Sequence, residues 1–406
     1  MGTMEDKRDN VRLVEGDPTK QAIVYVVIPV YNRLQYTLAC LRCLRAQRYQ
    51  RLDLIVVDGG STDGTVEVLK NEHSDVTLLQ GKGDLWWGGA MRLGVEHVLS
   101  HSRHDRDMVL MMNNDTEVEP SYVETLVRVC VRENAAVGSI VVDSQDPSRI
   151  LDAGEFIDWK SYSFPVKTRV EPGETFFDKV DVLPGRGTLV PLRMIRVAGN
   201  VEDRIFPHYI ADYEFFQRLR QHGFRLGVSS EARIMAHIEE TGIYAAEALI
   251  GIHQAWALVS SRKSMNNFRD HWRFIGRCAP SGYKFSARVR LLWRTAHLLI
   301  LQTNLRYVVW PVVLPWRWLK FVIYDDYYVT EKDCLRHKLN ANVLSEEQIL
   351  FAWKRNDWYR FSSDNRGWWG ARPELHGLYR CAWNPSTKLQ RWIKARAYRA
   401  GRDRAA

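Results

Sequence analysis

Residues 23–29 read IVYVVIP. The run has no polar alternation, so it predicts a strand with no solvent-facing side, as in a parallel sheet covered on both faces. Downstream, Asn32 stands at a helix-cap position with Gln35 three residues on, a capping-box spacing, and Tyr36 to Arg48 carries apolar residues at helical intervals. The pattern then recurs. LDLIVV (52–57) is a second buried strand that stops at Asp58, GGSTDG (59–64) is a loop rich in caps, and Thr65 to Asn71 is a helix. Val76 to Leu79 is a third strand, Gly81 to Gly89 a glycine-rich loop, and Ala90 to Ser100 a helix. MVLMM (108–112) is a fourth strand and ends on Asn113-Asn114-Asp115. Repeated strand, loop and helix define an α/β fold, a Rossmann-like and mostly parallel sheet flanked by helices. Ligands of such sheets bind outside the carboxyl ends of the strands. Pro29–Arg33, Asp58–Asp63, Gly83–Gly89 and Asn113–Glu117 are therefore expected to converge on one crevice.

Beyond this repeat, Val137 to Val142 predicts another strand. Phe156 to Asp181 reads as a strand pair or loop over the sheet, and VLPGRGTLVP (182–191) as a turn and a short strand. ADYEFFQRLRQH (211–222) has helical periodicity and is followed by Gly223, a C-terminal cap. Phe224 to Ala236 is strand-like and delivers His237. After Thr241 the pattern turns mainly helical, with Trp, Arg and Leu.

Several of these residues can carry chemistry. Asp115 follows a strand and Glu117 lies two positions on, so both acids can face one divalent cation; the same pair also suits an Asx turn that caps the helix near Pro120. Asp212 and Glu214 open a helix, where acids serve as dipole partners or as a general base at the mouth of a crevice. His237 is a further metal ligand or a structural histidine. Asp58, beside Gly59 and Gly60, can accept hydrogen bonds from a base or ribose, or cap its own loop. Trp86 and Trp87, between glycines in GDLWWGGA, stack on a ligand or anchor the core.

The ordered set VIPVYNR, VVDGGSTDGT, GDLWWGGA, MMNNDTEV, LPGRGTLVP, ADYEFFQRL and His237 resembles the family 2 glycosyltransferases of GT-A fold, closest in flavour to bacterial rhamnosyltransferase-like and surface-polysaccharide transferases. The resemblance covers residues 23–240. It implies inverting transfer of a sugar from a nucleotide-sugar donor (UDP-, dTDP- or GDP-linked) to a glycan or lipid-linked acceptor, with a divalent cation, Mn2+ or Mg2+. Position by position, it implies nucleotide-sugar contacts at Pro29, Tyr31, Arg33, Asp58, Asp84, Trp87, Arg92 and Asn114. Trp86, Arg186, Gly187, Thr188 and Glu214 fall where the family lines the sugar and acceptor pocket. Asp115, Glu117 and His237 fall at the metal, and Asp212 matches the catalytic base. The chain departs from the family's pattern in carrying Asn113 for the first acid of D-x-D, Gly59 for a second acid, Arg92 where relatives have Asn, and Ala211 for the acid before Asp212.

Composition bounds the rest. Hydrophobic residues make up 46% and charged residues 26% of 406, which excludes a disordered, collagenous or disulfide-stapled chain. Six cysteines, with Cys40 and Cys43 a lone C-x-x-C on a helix, fit a reducing cytoplasm. Net charge is +9, but residues 331–406 hold 16 Lys+Arg against 8 Asp+Glu, so the first 330 residues are nearly neutral. That tail also holds six of the fifteen tryptophans. It suggests an anionic neighbour. Leu389 to Arg399 reads as a basic amphipathic helix for a membrane surface; packing on a second subunit, in a homo-oligomer, is the alternative. Residues 1–22 carry no signal core, and Thr295 to Trp316 is interrupted by Arg306, Pro311 and Pro315, so no span is expected. The organisation expected is a polar N-terminal tail (1–22), the catalytic domain (23–240), a helical segment (241–330) and a basic tail (331–406), in a cytoplasmic enzyme peripheral to the inner membrane face. Two other readings stay open: a GT-A-like sugar nucleotidyltransferase, against which VIPVYNR lacks the glycine-rich triphosphate loop, and a polyanion-binding protein acting through its tail. No nucleic-acid module is recognisable, so no nucleic acid is expected.

Overall fold

In β1 (Val24–Val30) every residue but Pro29 is buried. The reason is visible in the packing of the computed structural model. Tyr25 and Val27 enter one hydrophobic core, whereas Val24, Val26, Ile28 and Val30 enter a second core on the other face. Alternate side chains of a strand point to opposite faces, so a strand with two covered faces must be apolar throughout. Described are residues 22–83, 85–237, 251–262, 264–301 and 303, and the backbone of five strands between 349 and 394.

The elements follow the expected order. Helix α1 (Leu34–Arg45) leads to β2 (Leu52–Asp58), α2 (Thr65–Glu72), β3 (Val76–Gln80), α3 (Trp86–His101), β4 (Met108–Met111) and the short β5 (Thr116–Val118). Then come α4 (Tyr122–Glu133), β6 (Ala135–Asp143), β7 (Ile150–Asp152), β8 (Phe176–Phe177), β9 (Thr188–Pro191), α5 (Leu192–Ala198), α6 (Ala211–Gln221) and β10 (Arg225–Ala236). Three helices follow: α7 (Ile252–Ser260), α8 (Phe268–Cys278) and α9 (Lys284–Ala296). Helices α1, α2 and α4 cover one face of the sheet, and α3, α5, α6, α8 and α9 the other.

The sheet order is β3-β2-β1-β4-β9-β6-β10-β5, with β7 on β6 and β8 on β10. The half from β3 to β4 is parallel, as the sequence predicts. The other half is mixed, although six of the eight strands in that order still share one direction. There β9 runs antiparallel to both β4 and β6, and β5 antiparallel to β10; only β6 and β10 pair in parallel. The sequence marks β9 as a short strand but not its direction, which is a matter of long-range pairing, and the three-residue β5 is too short to announce itself by periodicity.

This topology places the loops. Val30 pairs with Asp58, Asp58 with Gln80, and Met111 with Thr188, so the chain leaves β1, β2, β3 and β4 at the edge where it enters β9. Ala236 pairs with Asp143 and with Thr116, which brings His237, Ser144 and Asp115 to the same edge. The four expected segments therefore share one rim of the sheet.

The chain divides into two compact units, one of residues up to 243 with 256–295, the other of 244–255 with 296 onward. Helices α8 and α9 belong to the first, where Phe274, Ile275, Cys278, Ala287 and Leu291 join its core. The second unit contains a three-stranded antiparallel sheet, β11 (Ile349–Phe351), β14 (Tyr379–Asn384) and β15 (Leu389–Lys394), and a hairpin of β12 (Arg360–Ser362) and β13 (Gly367–Trp369). These strands correct the mainly helical tail and, over residues 389–394, the helix expected at Leu389–Arg399, whose last five residues lie outside the described ones. A six-residue stretch with Trp and Ile fits either period, and β14 satisfies its backbone.

Candidate active site

The rim is built from loops that cap one another. Asn32 and Arg33 both have left-handed backbone, φ 58° and 65°, at the turn into α1. The expected Asn32 capping box is not formed. Asn32 Oδ1 instead accepts from Thr62 N at 2.9 Å, and α1 is capped by Asp63, whose Oδ2 accepts from Leu34 N at 2.9 Å. Asp58 is buried, and its carboxylate accepts from the amides of Gly60 (2.9 Å) and Ser61. Asp58 thus shapes its own loop. Pro29 lies half-buried at the end of β1, and Tyr31 is 60% exposed beside Gly59.

Around the D-x-D position the residues divide their work. Asn114 is buried and donates to Thr37 Oγ1 at 3.0 Å, which fixes the turn to α1. Asn113 Oδ1 accepts from the Trp87 indole at 3.0 Å. Asp115 is only 3% exposed; its Oδ2 pairs with Arg33 Nη1 at 3.1 Å, and its Oδ1 has no hydrogen-bond partner among the described residues. His237 donates its backbone N–H to Asp115 O at 3.2 Å, and its ring meets Glu117 Oε1 at 2.9 Å and Ser144 Oγ at 3.2 Å. Asp115, Glu117 and His237 were expected to act as three ligands; here Glu117 and His237 engage each other, and among the described residues no three acidic, His or Cys side chains form a metal cluster. The buried Asp115 Oδ1, left without a hydrogen-bond partner, is nonetheless an oxygen donor that suits a divalent cation, and His237, whose backbone bonds Asp115 O, offers a nitrogen donor on the same rim.

Asp212 is the second residue of α6, two positions after Ile210, a β-branched residue held at φ 71°. Such backbone is costly and persists where the surroundings over-determine it. Two glycines bring the neighbours close. A Cβ on Gly185 would stand 2.9 Å from Asp212 Oδ2 and 3.0 Å from the Trp87 ring. A Cβ on Gly88 would stand 2.7 Å from Phe206 O, which explains glycine after the two tryptophans. Trp86 and Trp87 are the first turn of α3 rather than loop residues, and Trp86 lies 5.8 Å from the His208 ring. Trp87 thus bonds the D-x-D turn through Asn113, and its ring and the Asp212 carboxylate both border Gly185.

Sequence reasoning missed a group of titratable residues around Asp212. Asp152 and Glu155 come from the β7 exit, and Glu155 accepts a short hydrogen bond from Tyr213 Oη. Burial pushes the Asp212 carboxyl up to about 6, with the nearby charge of Asp152 adding to it against Arg186 and the Tyr213 amide. Burial also raises Asp152 and Glu155, and Asp152 raises Glu155 further. Arg186 is the cation that faces all three acids. The spacing of Asp152 and Glu155 in LDAGEF was the only sequence signal.

Other expected residues are engaged elsewhere. Glu214 is fully buried and pairs with Arg218 at 3.0 Å and Arg277 at 2.8 Å, so it ties α6 to α8 rather than facing a pocket. Arg92 pairs with Glu96 and Asp203 rather than standing free for a phosphate. Thr188 is buried and donates to Pro184 O at 2.6 Å; Gly187, at φ 76°, has no room for a side chain. Asp84 lies outside the described residues.

The Glycosyl transferase family 2 profile matches residues 25–182, and the Glycosyl transferase family group 2 profile residues 108–324, just over half of the chain. The chain belongs to the family 2 glycosyltransferases, and its α/β sheet is of the GT-A type. Among curated relatives, glycosyltransferase GlyA of Streptococcus pneumoniae serotype 4 is 30% identical over 122 residues, 29% of this chain and 16% of that protein. GlyG of the same organism is 26% identical over 120 residues (28% and 37%), and the uncharacterized glycosyltransferase YibD of Escherichia coli K12 27% over 121 (29% and 33%). The chain thus matches well under half the length of each. Among solved structures, the mannosyltransferase PcManGT of Pyrobaculum calidifontis, in complex with GDP-Man and Mn2+, is 17% identical with a TM-score of 0.43, covering 70% of this chain and 73% of that one. Staphylococcus aureus TarS 1–349 is 11% identical with a TM-score of 0.41, covering 68% and 72%.

Proposed function

We propose that the protein is an inverting, metal-dependent transferase. It moves a sugar from a nucleotide-sugar donor to a hydroxyl of a glycan or lipid-linked acceptor, in surface polysaccharide synthesis on the cytoplasmic side. One observation supports the reading: the Trp87 indole that donates to Asn113 in the D-x-D turn also borders Gly185, and the Asp212 carboxylate borders the same glycine. Donor cleavage and acceptor activation need such adjacency.

A bound Mn2+ or Mg2+ supplies charge neutralisation for a diphosphate leaving group. Asp115 and His237 are the residues that fit it. Tyr31, Arg33 and Pro29 border the same rim as nucleotide contacts, with Asp58 fixing the loop between them. Arg186 orients the acceptor side and holds the neighbouring acids in check. Asp212 takes the acceptor proton as the hydroxyl attacks the anomeric carbon opposite the phosphate, so the anomeric centre inverts. A carboxyl raised to about 6 is a stronger base than an ordinary aspartate and is still largely ionised near neutral pH.

Calorimetric titration with UDP, GDP, dTDP and CDP, each with and without Mn2+, tests the reading. One nucleotide should bind with metal dependence. Asp212→Asn should keep that binding and lose about 10²–10⁴ in transfer rate; near-normal turnover of the variant would falsify the assignment of the base.

A further inference from the structure

Helix α9 sits on the first unit through Ala287 and Leu291, both fully buried. Its opposite stripe is apolar as well. Phe285 is 80% exposed, Trp293 66%, Leu292 49% and Val289 46%. Positions 285, 289, 292 and 293 fall on one face of a helix, and Tyr283 (45% exposed) precedes them. Scattered exposed apolar residues need no explanation, but an apolar stripe along one helix face marks an interaction surface.

Charge decides what the stripe meets. From His271 to Tyr324 the sequence has nine Lys and Arg and no Asp or Glu. On α9, Arg288 turns inward over the Trp272 ring at 4.7 Å and Arg294 over Tyr162 at 5.6 Å. Arg290 remains exposed and Lys284 half-exposed, on either side of the stripe. A second copy docked face to face would bring these cations together with no acid on the helix to pair them. An anionic lipid surface supplies both the opposite charge and an apolar layer for the rings. We infer that the outer face of α9 is an interfacial membrane-binding surface that takes anionic phospholipid, with Phe285, Leu292 and Trp293 entering the acyl boundary and Arg290 at the headgroups. The inference moves the membrane contact from residues 331–406, where the sequence suggested it, to the first unit. It stands independently of the chemistry at Asp212.

Flotation of the full chain with vesicles of phosphatidylcholine, or of phosphatidylcholine mixed with phosphatidylglycerol, tests it. The wild type should float with the anionic vesicles and only weakly with the neutral ones. F285S/W293S should bind the anionic vesicles about ten- to a hundredfold more weakly, the loss expected for two apolar side chains leaving the lipid. R290E should weaken binding in the same direction, and serves as the deciding variant if F285S/W293S alters the melting temperature. Wild-type binding that both variants retain would overturn the inference and return the contact to the tail. So would absence of binding to anionic vesicles, or a light-scattering dimer that F285S/W293S splits in a chain that does not float.

Discussion

Asp212 shows how much a single residue's behaviour depends on what surrounds it. Its folded-state carboxyl lies at about 6, chiefly through burial. A general base works ionised, so transfer should rise with pH through about 6, and kcat/KM profiles should show that acidic limb. Asp152 contributes part of the shift through its charge. Asp152→Asn removes that charge, and the limb should move to lower pH; a limb that stays in place would mean that burial alone sets it. The sign of the linkage to stability follows. A carboxyl raised in the folded state is most favourable below its unfolded value of 3.8, and that contribution is lost as pH rises through about 6. Among the residues proposed for the site, Asp212, Asp115 and Trp87 were legible from motif order. Asp152 and Glu155 were not, because a short acidic spacing acquires meaning only when Tyr213 packs against it.

At the level of elements, small residues mark where backbones meet. Gly187 stands at φ 76°, and a Cβ there would lie 2.5 Å from both Ser139 Oγ and Tyr122 Oη, the two hydroxyls that donate to Gly187 O. Both costs apply to Gly187→Ala: left-handed backbone and overpacking in a buried polar cluster. The variant should lose about 2–4 kcal/mol of stability in denaturant melts, since no flexible side chain can yield there. The joint between α6 and α8 is a second case. Glu214 is read from sequence as the last acid of a site motif, yet it pairs with Arg277, 63 positions away. Charge pattern along one helix could not show that partner.

For the whole molecule, the measurable consequence is ligand linkage. A ligand that binds only the folded chain raises stability by about 2.7 kcal/mol at a concentration 100-fold above its Kd. The nucleoside diphosphate of the proposed donor, added with Mn2+, should therefore raise the melting temperature by roughly 5–10 °C, and a chelator should reverse most of the gain. An equal rise without metal would remove the cation from the donor site. The sequence by itself determined the two-sided core of β1 to β4, the helices between them and the loops at one rim. All of these follow from local periodicity and turn chemistry, which a chain carries within a dozen residues. Tertiary structure alone decided the mixed half of the sheet, the acids that gather at Asp212, the partners of Glu214 and Arg92, and the outward face of α9. Each of these depends on groups far apart in the chain coming within hydrogen-bond or packing distance, and no local pattern encodes which distant partner arrives.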